Sequence, residues 1–253
     1  MKKAHSRPTT CLGSKNLSIL SHHPFDIGAN FARLLPAQPC VLCGTGSLNG
    51  LICKDCDAEL PRLPEAHCPV CALPSPVGGV CGQCLRHPPH FDHCVAAFSY
   101  AFPMDKLLQE LKYRERLILV DHLADALARH VTLRPDFLVA LPLHPARLRE
   151  RGFNQSLLLA RRISRRLGIP LLPDLCERVR NTPPQSGLPW KERDKNMRGA
   201  FACESGDRIK GKHVAIVDDV MTTGASTGEL ARMLKQAGAS EVSVWVIART
   251  MKD

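Results

Sequence analysis

Eight cysteines, set in one pattern written twice, constrain this chain more than any other feature. Cys40, Cys43, Cys53 and Cys56 follow C-x2-C-x9-C-x2-C, and Cys68, Cys71, Cys81 and Cys84 repeat it with the same spacers. Each C-x2-C turn aims two thiolates at one point, and two turns complete a tetrahedral Zn²⁺ site. The nine-residue spacer is shorter than the roughly 15–20 residues common in such frameworks, so compact knuckles are expected. A redox pair is the competing use of C-x2-C, but four of them between residues 40 and 84 exceed what redox chemistry needs. Pairing within each repeat is the expected arrangement, because each repeat then closes its own site; interleaved pairing meets the same spacing. With four ligands filled, both sites read as structural and leave no coordination position open. His87, His90 and His93 crowd the end of the module, but eight thiolates already suffice for two ions. Cys11, Cys176 and Cys203 stand isolated, and Cys94 falls in the strand-like run HCVAAFSYAF, where it reads as core.

The rest of the chain has a different texture. The expected organisation is a mobile N-terminal extension over 1–35, the zinc module over 36–90 and an α/β domain over 91–253. Within that domain the pattern predicts strand 94–100, helices 104–113 and 117–131, strand 137–141, helix 155–167 and an extended and loop region over 171–203. A final βαβ unit follows, and such alternation implies a mostly parallel sheet. The N-terminus is basic but has neither a continuous apolar stretch nor a small-residue cleavage site. No apolar run approaches the roughly 20 residues that span a membrane. These features predict a cytoplasmic protein without membrane insertion.

The most informative stretch of that domain is HVAIVDDVMTTGASTGELARMLKQAGA, residues 213–239. HVAIV reads as a buried strand of a covered sheet. Ser226 and Glu229 have the spacing of a capping box, Leu230, Met233, Leu234 and Ala237 recur at helical intervals, and Gly238 closes the helix. EVSVWVIA, 241–248, is the next strand, so the intervening loop lies at the carboxyl edge of the sheet, where open α/β folds bind ligands. Small residues at a helix N-terminus let backbone N–H groups approach an anion. Asp218 and Asp219 in the same loop would repel a phosphate but accept hydrogen bonds from hydroxyls. A ligand carrying both a phosphate and vicinal hydroxyls, a ribose 5-phosphate, satisfies the two demands.

VAIVDDVMTTGAST resembles the phosphoribosyl pyrophosphate (PRPP) loop of type I phosphoribosyltransferases. The resemblance implies that Asp218 and Asp219 hold the ribose hydroxyls. It also implies that Met221, Thr222, Thr223, Gly224, Ala225, Ser226 and Thr227 cradle the 5′-phosphate. PLHPARLRERGFNQ and RVRNTPPQSGLPWKERDKNMRGAF, in order with the cysteine module, resemble the ComF family over residues 36–250. That family joins a cysteine zinc module to a phosphoribosyltransferase domain. By this resemblance Leu143, His144 and Arg147 belong to a pyrophosphate loop, with Arg151 beside it in the RGFNQ signature. Gln185, Leu188, Arg193, Asn196 and Phe201 fall in a flexible hood. Asn154 is a credible N-cap for the helix that follows, and Phe153 reads as a packing anchor.

Charge narrows the choice of partner. The formal balance is +10, and 13 basic against 5 acidic residues between His144 and Arg198 supply most of it. Zn²⁺ with four thiolates carries −2, so two sites bring the total to about +6 without touching that window. Arg161, Arg162, Arg165 and Arg166 form a cationic face on helix 155–167, opposite Leu157, Ala160 and Leu167, and are the candidates for a polyanion such as single-stranded DNA.

Two functions from different classes follow. One is Mg²⁺-dependent phosphoribosyl transfer, with pyrophosphate leaving from C1. The other is a protein that binds PRPP and single-stranded DNA; the ComF resemblance implies a role in natural competence, with competence-machinery proteins as partners. Thr222 occupies a position where some purine-salvage enzymes carry an Asp that meets the base, and only Phe153 and Trp190 stand out as stacking candidates. The sequence therefore favours the binding and DNA-handling reading.

Overall fold

The computed structural model describes residues 38–47, 50–182, 196–204 and 207–251. The extension over 1–35, the hood residues Gln185, Leu188 and Arg193, and Trp190 lie outside the described residues. The cysteine repeats come first. In the first repeat, β1 (Gln38–Pro39) and β2 (Gly46–Ser47) pair antiparallel, and α1 (Lys54–Ala58) starts on Cys53. In the second, α2 (Gly82–Arg86) starts on Cys81 in the same way. Both helices therefore begin on the third cysteine of their repeat, so the duplication visible in the spacing extends to local structure.

The α/β part follows as β3 (His93–Ser99), α3 (Met104–Tyr113), α4 (Leu119–Ala128), β4 (Phe137–Ala140), α5 (Pro145–Arg151), α6 (Gln155–Leu167), β5 (Cys176–Arg178), β6 (Phe201–Cys203), β7 (His213–Met221), α7 (Ala225–Gln236) and β8 (Glu241–Arg249). Four strands make one parallel sheet in the order β3-β8-β7-β4. In β7 and β8 nearly every residue is buried, and alternate side chains enter opposite cores. Ala215, Val217, Trp245 and Ile247 join the core built with α3, α4 and α6, whereas Val214, Ile216, Val244 and Val246 join the one built with α7. A sheet covered on both faces requires such apolar runs.

Several details depart from the sequence expectation. β7 does not end before the acid pair. β8 is nine residues long and holds Asp218 opposite Val246 and Met221 opposite Arg249, so Asp218 and Asp219 lie inside the paired strand and are buried. The capping box is not made. α7 begins two residues earlier, at Ala225, with Gly224 as N-cap. Glu229 instead accepts from Gly199 N at 2.7 Å and pairs with Arg232 at 2.7 Å. Cys176 and Cys203 are not isolated: β5 and β6 form an antiparallel pair that sets them directly opposite, and they are joined as a disulfide. Arg147, expected in a pyrophosphate loop, and Arg151 beside it lie on a helix, α5, with Pro145 at the first helical position where a missing N–H costs nothing. On α6 the buried face is Leu159, Ala160 and Ile163; Leu157 and Leu167 are only partly buried.

Candidate functional site

The two cysteine repeats each fold into a tetrad of their own. Cys40, Cys43, Cys53 and Cys56 form one and Cys68, Cys71, Cys81 and Cys84 the other, with the four Sγ atoms of each within 4.8 Å of one another. The sequential arrangement is therefore the one adopted. A Zn–S bond of about 2.3 Å in a tetrahedron implies S···S edges near 3.8 Å. Cys43 Sγ to Cys53 Sγ and Cys71 Sγ to Cys81 Sγ are both 3.7 Å. In each tetrad the backbone N–H of the third cysteine donates to the first sulfur, Cys53 to Cys40 at 3.4 Å and Cys81 to Cys68 at 3.3 Å. Thiolates that accept N–H bonds suit a metal with no ligand position to spare. None of the histidines at 87, 90 and 93 belongs to a tetrad, and Cys94 is a core thiol whose burial pushes its pKa up to about 12.

At the carboxyl end of the sheet, β7 delivers the acid pair. Ser156 Oγ, in the first turn of α6, donates to Asp218 Oδ1 at 2.8 Å, and Lys112 Nζ, at the end of α3, lies 2.5 Å from Asp219 Oδ2. Asn154 holds that turn of α6 in place. Its Oδ1 accepts from Ser156 N and Leu157 N, capping the helix as expected, and its Nδ2 donates to Leu141 O at the end of β4. Burial raises the pKa of Asp218, the charge of Asp219 raises it further, and the Ser156 bond and Lys112 offset them only in part; it rises to about 7. For Lys112 burial works to lower the pKa, but the charge and hydrogen bond of Asp219 outweigh it, so the ammonium is held more firmly than usual. Arg178 lies in the same field. Burial first, then the charge of Arg147, lowers its pKa, while Asp218 acts in the opposite sense.

The chain then turns through Thr222 to Gly224 into α7. Gly224 has φ +87°, a conformation that disfavours any side chain, and an added Cβ would also meet the Phe91 ring at 3.7 Å. Thr223 Oγ1 accepts from Ala225 N, and Thr227 Oγ1 donates to Gly224 O. A small hollow of about 30 Å³ opens here, lined by Asp218, Thr222, Gly224, Ala225, Ser226 and Thr227 among others. It stands at a helix N-terminus, where the macrodipole favours an anion.

The remaining candidates are placed as follows. Leu143 and His144 lead into α5, with His144 Nδ1 accepting from Ala146 N as its N-cap. Arg151 donates to Gln155 Oε1 at 2.8 Å and its guanidinium lies over the Tyr113 ring, 5.6 Å from the centroid. Phe153 is only half-buried, and Asn196 lies at the end of the hood segment, just before buried Met197. The cationic face of α6 is partly engaged: Arg162 pairs with Asp121 at 2.9 Å and Arg166 with Asp125 at 3.7 Å, both on α4. Arg161 and Arg165 are exposed. Lys112, Ser156, Arg178 and Arg249 escaped the sequence reading. Of these only Ser156 carried a local signal, as the residue two places after a helix cap.

The architecture and its edge define a class: a double zinc ribbon joined to a type I phosphoribosyltransferase fold. Residues 31–85 match a double zinc ribbon domain and residues 154–253 a phosphoribosyl transferase domain. DNA utilization protein YhgH of Escherichia coli (strain K12) is 35% identical over 213 residues, covering 79% of this chain and 91% of that protein. Competence protein F of Haemophilus influenzae is 33% identical over 211 residues, 79% of this chain and 91% of that protein. Competence protein ComFC of Bacillus subtilis (strain 168) is 26% identical over 210 residues, 79% of this chain and 84% of that protein. The chain belongs to the ComF family.

Proposed function

We propose that this protein binds PRPP at the carboxyl edge of its sheet and handles single-stranded DNA, acting in competence or the utilisation of imported DNA. The observation that carries the reading is the Asp218–Asp219 pair, buried at the end of β7 and held by Ser156 and Lys112. From it the strand runs without interruption into a glycine-containing turn at a helix N-terminus. The carboxylates supply acceptors for ribose hydroxyls; the turn from Met221 to Thr227 supplies N–H and hydroxyl donors for the 5′-phosphate. Leu143, His144, Arg147 and Arg151 lie at the neighbouring strand end, where a pyrophosphate carrying Mg²⁺ would rest. By the family resemblance, Gln185, Arg193 and Asn196 belong to the hood of the same site. The names of the relatives, a DNA utilization protein and a competence protein, support the DNA role. Calorimetric titration with Mg²⁺-PRPP tests the reading, and absence of binding would refute it.

A second reading is favoured by one observation. Arg178 lies within electrostatic reach of both Arg147 and Asp218, so two cations near the acid pair would be available to a departing pyrophosphate. Such cations would serve an active Mg²⁺-dependent phosphoribosyltransferase. Pyrophosphate release from PRPP in the presence of a panel of bases separates the two: release with one base assigns the enzyme, and binding without release assigns the carrier.

A further inference from the structure

Arg249, the last residue of β8, is among the largest of the fully buried side chains of the described residues, at 2% exposure. Its Nε donates to Cys71 O at 2.8 Å. Its Nη1 donates to Met221 O at 2.9 Å, to Thr250 O at 3.0 Å and to Thr222 O. One guanidinium thus ties the backbone of the second cysteine tetrad to the two residues that open the anion-binding turn. Each of these four acceptors is a backbone carbonyl. Burial works against the charge of Arg249, and the sulfurs of Cys94, Cys71 and Cys84 act in the opposite sense. A cavity of about 330 Å³ has Cys71, Cys84, Arg249, Met221, Thr223 and Gly224 among its walls, so the second ribbon and the turn border the same space.

We infer that Arg249 is a positioning residue through which the second zinc site holds the PRPP turn in its binding geometry. The first tetrad has no such strut among the described residues. The inference rests on the PRPP reading above and adds that the ribbon is part of the binding machinery. Coupling of this kind is reciprocal: if the second zinc favours PRPP, PRPP favours the second zinc by the same factor.

The test uses the full zinc-loaded chain. Calorimetry with Mg²⁺-PRPP is run on the unmodified protein, on Arg249→Gln and on Arg249→Lys, with zinc counted on each sample. Arg249→Gln should bind at least about tenfold more weakly, which is the 1.4 kcal/mol step, and Arg249→Lys should fall between. In the same experiment a chromogenic chelator reads zinc release from the unmodified protein with and without PRPP. PRPP should slow one of the two releases and leave the other unchanged; this arm stands even if the Gln variant does not fold. Unchanged affinity in a folded Arg249→Gln, or releases that PRPP leaves unaltered or slows equally, overturns the inference and leaves PRPP binding intact. No PRPP binding by the unmodified protein overturns the reading beneath it, and the inference with it.

Discussion

Two regions of this molecule concentrate negative charge, and they neutralise it by opposite means. The cysteine tetrads bring eight sulfurs together through short, local turns, and a metal ion is the natural answer to their charge. The acid pair at the end of β7 is answered from a distance: Lys112 comes from α3 and Ser156 from α6. The first solution is written in residue spacing and works once each loop closes. The second exists only when the sheet and two helices have packed, and it leaves Asp218 with a carboxyl that ionises near neutral pH. A site made this way keeps two carboxyls buried at the carboxyl edge of the sheet, at some expense in stability.

The contrast predicts effects of different size. The largest belongs to the metal, since a structural zinc site contributes on the order of 10 kcal/mol to folding. The protein should hold two zinc ions, and Cys40→Ser or Cys84→Ser should each lower that to about one by metal analysis. The tetrads differ in burial: Cys43 is exposed, whereas Cys68, Cys71 and Cys84 are buried. Chelation should therefore strip the first tetrad before the second, and the sheet should hold until the second is lost. Simultaneous loss, followed by circular dichroism, would remove the distinction.

At the acid pair the expected effect is smaller. Lys112→Met leaves Asp219 buried without its cation, beside a second carboxyl, and should cost about 3–5 kcal/mol in denaturant unfolding. Because both aspartates are buried within a paired strand, replacing both by Ala should also lower stability, rather than leave the fold untouched as a loop position would. A midpoint for Lys112→Met within error of the unmodified protein would mean that the pair is not what neutralises this region.

The pH dependence follows in sign from Asp218. Its folded pKa, about 7, stands above the ordinary carboxylate value. The folded state therefore binds more protons than the unfolded state between about pH 4 and pH 7, and this group's contribution to stability falls as pH rises through that window. PRPP affinity should move the other way, rising several-fold from pH 6 to pH 8 as the carboxylate forms, up to about tenfold per unit for one linked proton. Calorimetry at three pH values reads it, and a flat profile would place the ribose contacts elsewhere.

The smallest effect concerns cations. Arg162 and Arg166 are already engaged by acids of α4, while Arg161 and Arg165 are exposed. Arg161→Ser with Arg165→Ser should weaken single-stranded DNA binding to all sequences alike. It should also flatten the slope of log K against log salt by roughly 1 to 1.5, since each contact on a single strand contributes about 0.7. The Arg162 and Arg166 pair should change it less. Because the first turn of α6 bonds Asp218, affinity for PRPP serves as a control only for these more distal positions.

What was legible in the sequence divides along the same line. The tetrads, helix 155–167 with its Asn154 cap, and the order strand, acid pair, small turn, helix are all carried by neighbours in the chain, and each is present. The Lys112–Asp219 pair spans two elements more than a hundred residues apart, and nothing marks Lys112 among the basic residues of an amphipathic helix. The Cys176–Cys203 disulfide depends on a short antiparallel pair that local propensity does not signal. The capping box failed because Glu229 found better partners in Gly199 and Arg232, and the longer β7 followed from the length of β8. In each case a tertiary partner displaced a local preference.

The most direct test of the central claim is calorimetric titration of Mg²⁺-PRPP into the unmodified protein and into Asp218→Asn at pH 8. The substitution keeps the shape and an oxygen for Ser156, and removing one charge from a crowded buried pair should not harm folding. The account predicts that the unmodified protein binds and that Asp218→Asn, with an unchanged circular dichroism spectrum, loses at least about tenfold in affinity, a step of 1.4 kcal/mol. Equal affinity in the two proteins would contradict it.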